Sequence, residues 1–182
     1  MPRKVYWLDR QMVPDGALVY QNSHDLEVFK SGAPFDAGFK PPVLLTLDEE
    51  LRKGPLPTFF TSPAFIAKKE IHKALVKLGV DNLQSYAAVI EDPVDGRKIK
   101  DYLFLNVIGA VACANMKRSK SESLGDGMTV INELVLNAKR VPDLDMFLLA
   151  EDTDKMLISE LIAKYFRESA YPDVYLEEIE QV

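Results

Sequence analysis

Leu157-Ile158-Ser159, an amphipathic segment to Ser169, a Pro172-Asp173 turn and then Val174-Tyr175-Leu176 form the stretch that decides the fold. It reads as the tip of a strand, a helix and a second strand. The same order occurs earlier, as Phe65-Ile66-Ala67, an amphipathic segment to Leu78, Val80-Asp81-Asn82, and Leu83 to Ile90. In the earlier segment Ile71, Ala74, Leu75 and Leu78 recur at i, i+3, i+4 and i+7, so they share one helix face. Lys68, Lys69, Lys73 and Lys77 fall largely off that face, and Gly79 supplies the C′ stop. In the later segment Leu161, Ile162, Tyr165 and Phe166 make the apolar face. The pattern predicts two short helices, each set between strands, as an internal strand-helix-strand repeat. Ser62-Pro63 offers an N-cap and an N1 proline for the first helix. The parallel with Ser159, which is followed by Glu160 in the first turn, moves that start to Ala67 and leaves Ala64 to Ile66 extended.

Working outward, Val5 to Leu8 has the aromatic and β-branched content of a strand. Asp15-Gly16 reads as a turn, Ala17 to Tyr20 as a second strand, and Leu26 to Phe29 as an apolar/polar alternation. Residues 32 to 42, rich in Gly, Pro and Phe, suit an irregular loop packed by Phe35 and Phe39. Val43 to Leu47 reads as a buried strand and Leu51 to Pro57 as loop. Leu83 to Ile90 and Tyr102 to Val111 flank Asp92-Pro93-Val94-Asp95-Gly96, a hairpin signal. The second of these runs is apolar on both faces, as in a strand covered on two sides, and Asn106 inside it needs a hydrogen-bond partner. Lys117 to Gly127 is the most polar stretch and reads as a mobile loop. Thr129 to Leu136 and Met146 to Ala150 read as strands, and Glu151-Asp152-Thr153-Asp154 as an acidic turn. The expected fold is α+β: a mainly antiparallel sheet with two short helices packed on it. It forms a single domain over residues 1–182, with N-terminal strands and an irregular loop in 1–41 and the core in 42–182.

Length and composition agree. A chain of 182 residues, 47% apolar and 27% charged, suits one globular domain. Its single cysteine, Cys113, excludes an internal disulfide framework, and the apolar run Gly109-Ala110-Val111-Ala112 before it makes it a core residue. The N-terminus lacks the apolar run of a signal peptide, and no stretch approaches the ~20 apolar residues of a membrane span. The expectation is a cytosolic protein. The formal charge of −6 is carried by one end: from Asp143 to Val182 eleven acids face Lys155, Lys164 and Arg167, a net of −8. The other 142 residues hold 17 acids and 19 bases, a net of +2, so non-specific nucleic-acid binding is not expected.

The residues that carry chemistry are sparse. His24 and His72 are the two histidines, and neither has ligand spacing to another His or to Cys113, which argues against zinc. There is no Gly-x-Ser-x-Gly elbow and no Gly-rich phosphate loop. Cys113 lacks the polar setting that activates a thiol. Asp152/Asp154 and Glu177/Glu178 are paired carboxylates, with too few oxygen ligands at regular spacing for a Ca²⁺ loop. The reading is a non-enzymatic protein without metal or cofactor.

Several quoted segments together resemble one bacterial family: Leu56-Pro57-Thr58-Phe59-Phe60, Phe65-Ile66-Ala67, the helix ending Leu78-Gly79-Val80-Asp81-Asn82, Tyr102-Leu103-Phe104-Leu105-Asn106-Val107, Met146-Phe147-Leu148-Leu149 and Leu157-Ile158-Ser159. This is immunity protein family 11 of the polymorphic toxin systems, and the resemblance runs from about residue 42 to the C-terminus. Two positions depart from it. Ala67 stands where a helix-capping Ser is expected, and Tyr171-Pro172 where a second Gly is expected before the last strand. The resemblance implies a cytosolic protein that binds and neutralises a toxin delivered by contact-dependent or type VI secretion, with an HNH-like nuclease ranked first. It brings no catalytic residues, no direct contact with nucleic acid and no membrane, and it leaves the oligomeric state open. Two other readings stand beside it: a small-molecule-binding or enzymatic domain with a site at the Pro34 to Phe39 loop, and a structural subunit or adaptor. For a nuclease partner, whose phosphate-binding surface is positive, the expected contact residues are the acids Glu151, Asp152 and Asp154 and the tail acids Glu177, Glu178 and Glu180. Asp48, Glu49 and Glu50 form a second group, offset by Arg52 and Lys53.

Overall fold

The computed structural model describes residues 3–10, 18–20, 29–36, 38–62, 64–125, 128–169 and 171–182. The Asp15-Gly16 turn, Ala17, Leu26 to Val28 and His24 lie outside the described residues. The chain forms β1 (Val5–Arg10), β2 (Leu18–Tyr20), β3 (Val43–Leu47), β4 (Phe59–Phe60), β5 (Ile66–Lys68), α1 (Lys69–Lys77), β6 (Leu83–Glu91), β7 (Lys98–Ile99) and β8 (Tyr102–Val107). There follow β9 (Ala110–Val111), β10 (Lys120–Gly125), β11 (Met128–Glu133), β12 (Val135–Leu136), β13 (Met146–Leu149), β14 (Asp152–Ser159), α2 (Glu160–Glu168), β15 (Val174–Glu178) and β16 (Glu180–Gln181). The fold is α+β, as expected, but the strands make two main sheets rather than one. One runs β2-β3-β6-β8-β5-β4 with β7 added on β6, and the other runs β15-β1-β14-β13-β9. Pairing is mainly antiparallel; β3–β6, β9–β13 and β12–β16 are parallel.

The two strand-helix-strand segments fold alike. β5 and β6 both pair antiparallel to β8, and α1 carries the chain from one flank to the other. β14 and β15 both pair antiparallel to β1, and α2 makes the same crossing. Each unit also begins with an antiparallel partner, β4 on β5 and β13 on β14. The spatial orders β4-β5-β8-β6 and β13-β14-β1-β15 therefore match. The middle strand is drawn from after the unit in the first case and from the N-terminus in the second.

The structure corrects the alignment of the two segments by one residue. Lys68 and Ser159 are the N-cap residues; Ile71 matches Ile162, Leu75 matches Phe166 and Leu83 matches Val174. Ala67 then corresponds to Ile158, and both face the central core, while Ile66 and Leu157 face away from it. A slip of one residue reverses every strand side chain, so burial decides the register where the residue names do not. The first helix accordingly starts at Lys69, after a strand that runs through Ala67. Ser159 occupies the N-cap of α2 with extended backbone, but its hydroxyl makes no cap bond.

One core lies between the sheets and the helices. It takes Leu105 and Val107 from β8, Tyr6 and Leu8 from β1, Met156 and Ile158 from β14, and Ile71, Leu75, Ile162, Ala163 and Phe166 from the helices. The alternate residues of β8, Tyr102 and Phe104, enter a second cluster with Val43, Leu45, Phe60 and Ile66. Val5, Phe147, Leu149 and Leu157 enter a third, with Cys113, Ile131, Leu136 and Ile179. β8 is thus covered on both faces, as the apolar residues on both sides of it require. Asn106 on it is fully buried, and its Nδ2 donates to the Ala33 carbonyl at 2.9 Å and to Gln84 Oε1 at 3.0 Å, which pins the loop before β3.

Three further expectations change. The run from Tyr102 to Val111 is not one strand: the chain leaves β8 at Val107 and crosses to the other sheet as β9. Gly109 makes that crossing at φ +116, which a side chain resists. The polar stretch read as a mobile loop is half of a hairpin, since β10 pairs antiparallel with β11. Its alternation is Ser/Glu rather than apolar, which hid the strand. The acidic turn is shorter than expected, because Asp152 to Asp154 already belong to β14 and the turn residues are Ala150 and Glu151. Among the described residues no helix is long and apolar enough to cross a membrane.

Candidate protein-binding face

The structure separates the acids that hold the fold from those that face outward. Asp152 is 7% exposed. Its Oδ2 accepts the buried Ile131 N–H at 2.9 Å and its Oδ1 the Asp154 N–H at 3.3 Å. It fastens β11 to β14 and is not free to meet a partner. Glu151 accepts the Ala114 N–H through Oε1 at 3.0 Å, while its Oε2 is buried and has no partner among the described residues. The Asp154 side chain is 73% exposed and ion-paired with Lys30.

The tail acids are not on a loose tail. Glu177 and Glu178 lie on β15 against β1, and Glu180 on β16 against β12. Glu178 pairs with Lys4 at 2.9 Å and accepts the Tyr6 hydroxyl at 3.1 Å; the Lys4 hydrogen bond, then the Tyr6 one, hold its carboxyl below the usual glutamate range. Glu180 pairs with Arg118 at 2.8 Å. Glu177 is exposed and accepts the Tyr175 hydroxyl at 3.4 Å. Asp48 and Glu49 enter a 3-10 turn of residues 49–53; the Asp48 carbonyl accepts the Leu51 N–H, and Glu49 is exposed. The side chain of Glu50 lies outside the described residues. Of the nine acids, the structure brings Glu151, Asp152 and Asp154 to one place and leaves the tail group and the Asp48 group on other elements.

That place is a groove of about 270 Å³ between the β10–β11 hairpin and the start of β14. Leu124, Thr129 and Val130 form one wall; Ala150, Glu151, Asp152, Thr153 and Asp154 form the other. Leu124 is 64% and Val130 36% exposed, so apolar surface stands in solvent next to carboxylates. Sequence reasoning found the acids and missed the hairpin. The one signal in its polar strand was Leu124, a lone apolar residue before Gly125, which takes φ +88.

Cys113 is fully buried, and burial, then the Glu151 charge, push its thiol up to about 12. His72 is half-buried on α1. Among the described residues no three His, Cys, Asp or Glu side chains gather as a metal site. Phe35 and Phe39 of the aromatic loop pack on each other at 4.5 Å and against Phe29, Tyr86 and Phe104, so the rings fill the space they enclose. No protein-family model matches this chain, and no curated protein matches it in sequence.

Proposed function

We propose that this chain is a cytosolic immunity protein that binds and neutralises a toxic effector domain, an HNH-like nuclease first among the candidates. The resemblance to immunity protein family 11 supports this reading, and one observation carries it: exposed Leu124 and Val130 share an open groove with the exposed carboxylate of Asp154, with the charge of the more buried Glu151 behind it. A surface that holds phosphates presents lysine and arginine with apolar flanks, and this groove offers the complement of both. The aromatic-loop reading has less behind it, because the Phe35 and Phe39 rings are already packed.

The test is to express the chain with the protein encoded beside its gene, ask whether the two co-purify, and assay the partner's toxicity and nuclease activity with and without it. Replacing Asp154→Asn should slow association and flatten its salt dependence, since screening acts over ~8 Å at physiological ionic strength. Glu151 and Asp152 are left intact in that variant because backbone amides use their oxygens. A neighbour that is harmless, or that is toxic but neither bound nor inhibited, overturns the proposal. A toxic neighbour bound equally well by the Asp154→Asn variant keeps the function and moves the face elsewhere.

A further inference from the structure

The hairpin beside the groove has an open side. β10 is six residues long, every one of them exposed, and among the described residues it pairs with β11 alone. The direction of its free backbone groups follows from the register. Ser121 lies opposite Ile131, Glu122 opposite Val130 and Ser123 opposite Thr129. The Ile131 N–H does not point at β10, because it donates to Asp152 Oδ2 at 2.9 Å on the other side. Residues opposite one another in an antiparallel pair alternate between bonded and non-bonded. Ser121–Ile131 is therefore a non-bonded pair, and so is Ser123–Thr129. The N–H and C=O groups of Ser121 and Ser123 face outward from the hairpin edge, in solvent.

We infer that the partner docks by adding an extended strand to this edge of β10, with alternate side chains laid on the hairpin face that carries Glu122 and Leu124. This rests on the protein-binding reading above and names how the site works. Main-chain bonds to Ser121 and Ser123 would hold the added strand, and the side chains on the face of Glu122 and Leu124 would select it. Those side chains meet Leu124 and the exposed carboxylate of Glu122 on β10 first, and Val130, on the same hairpin face as Glu122, lies one strand further in. The fitting segment alternates lysine or arginine with aliphatic residues. Lys120 at the start of the strand is held by Glu133 at 2.6 Å, which reduces its repulsion toward such a segment.

Proline separates this docking from simple contact with the face. Ser121→Pro and Ser123→Pro each remove one outward N–H and no bond to β11, as proline on an edge allows. The probe is the toxin domain that co-purifies with the wild-type chain. Each variant should bind about tenfold more weakly, and both together about a hundredfold. Wild-type hydrogen exchange supplies a readout that needs no variant: the Ser121 and Ser123 amides exchange freely in the free protein and should become protected in the complex. Equal binding by the variants, or a complex in which both amides still exchange freely, overturns strand addition while the immunity reading stands. Absence of any bound toxin with the wild-type chain overturns both.

Discussion

Replacing Asp152 by alanine tests whether one carboxylate holds the hairpin in place. Asp152 is buried and spans two strands, taking the Ile131 N–H on β11 and the Asp154 N–H on β14. Ile131 is 1% exposed, so its amide cannot turn to water when the acceptor goes. A hydrogen bond to a charged group contributes about 1.5–3 kcal/mol, and a buried donor left bare costs about 1–3 kcal/mol. These are two views of one loss, so the expected destabilisation is about 2–3 kcal/mol. With a urea slope of about 2 kcal/mol/M, the unfolding midpoint should fall by about 1 M. The same free energy should speed exchange of the Ile131 amide by about thirtyfold or more if the hairpin opens without the rest of the molecule. Asp152→Asn keeps an acceptor oxygen and should cost less than about half as much. Asp154→Asn, at an exposed ion pair, should cost about 0–1 kcal/mol. If Asp152→Ala unfolds within about 0.5 kcal/mol of wild type, with Ile131 protection unchanged, the carboxylate does not carry the hairpin and the geometry of the groove has another source.

Other outcomes follow from the same packing. Gly32 sits at φ +69, and a Cβ there would lie 2.6 Å from the Ala110 backbone nitrogen, so Gly32→Ala should destabilise by more than the ~1–2 kcal/mol of the backbone conformation alone, read by thermal unfolding. Phe166→Ala empties the central core under α2 and should cost about 3–5 kcal/mol, measured in urea; a loss below 1 kcal/mol would mean the helix does not need that contact. Cys113 should resist thiol reagents in the native state and react on unfolding. Its folded thiol is pushed up to about 12, so above pH ~8.5 the unfolded chain releases a proton that the folded chain keeps, and stability should fall as pH rises. Cys113→Ala should remove that part of the alkaline slope. Asp92 works in the opposite direction: the Arg52 hydrogen bond holds its carboxyl below the usual range, so its contribution is present above pH ~4 and is lost on acidification, and Arg52→Ala should blunt that acid sensitivity.

What the sequence revealed and what it hid divide by mechanism. Both helices were legible because Ile71, Leu75, Ile162 and Phe166 sit on 3.6-residue stripes that end in the core. β8 was legible because apolar residues fall on both of its faces, with Asn106 the one polar residue after Tyr102. The alignment of the two units slipped because Phe65-Ile66-Ala67 and Leu157-Ile158-Ser159 look alike as words, and only burial shows that Ala67 answers Ile158. β10 was illegible because all six of its residues face solvent, and an exposed strand carries no apolar alternation. The acids were visible but not their duties. Nothing in the letters distinguishes Asp152, whose oxygens are used by backbone amides, from Asp154, whose side chain stands outside.

β1 has a consequence for timing. The middle strand of the C-terminal unit lies far from it in sequence: Val5 pairs with Ser159 and Tyr6 with Glu178. During synthesis, Val5 to Arg10 emerge with both edges unpaired and wait until β14 and β15 have been added. The last unit cannot fold as a finished piece on its own, because its middle strand lies at the far end of the chain. Contacts of this range pay their loop-closure entropy late and slow folding. Without Val174 to Glu178 one edge of β1 would stay unpaired, so the C-terminal sheet closes only when segments far apart in sequence meet.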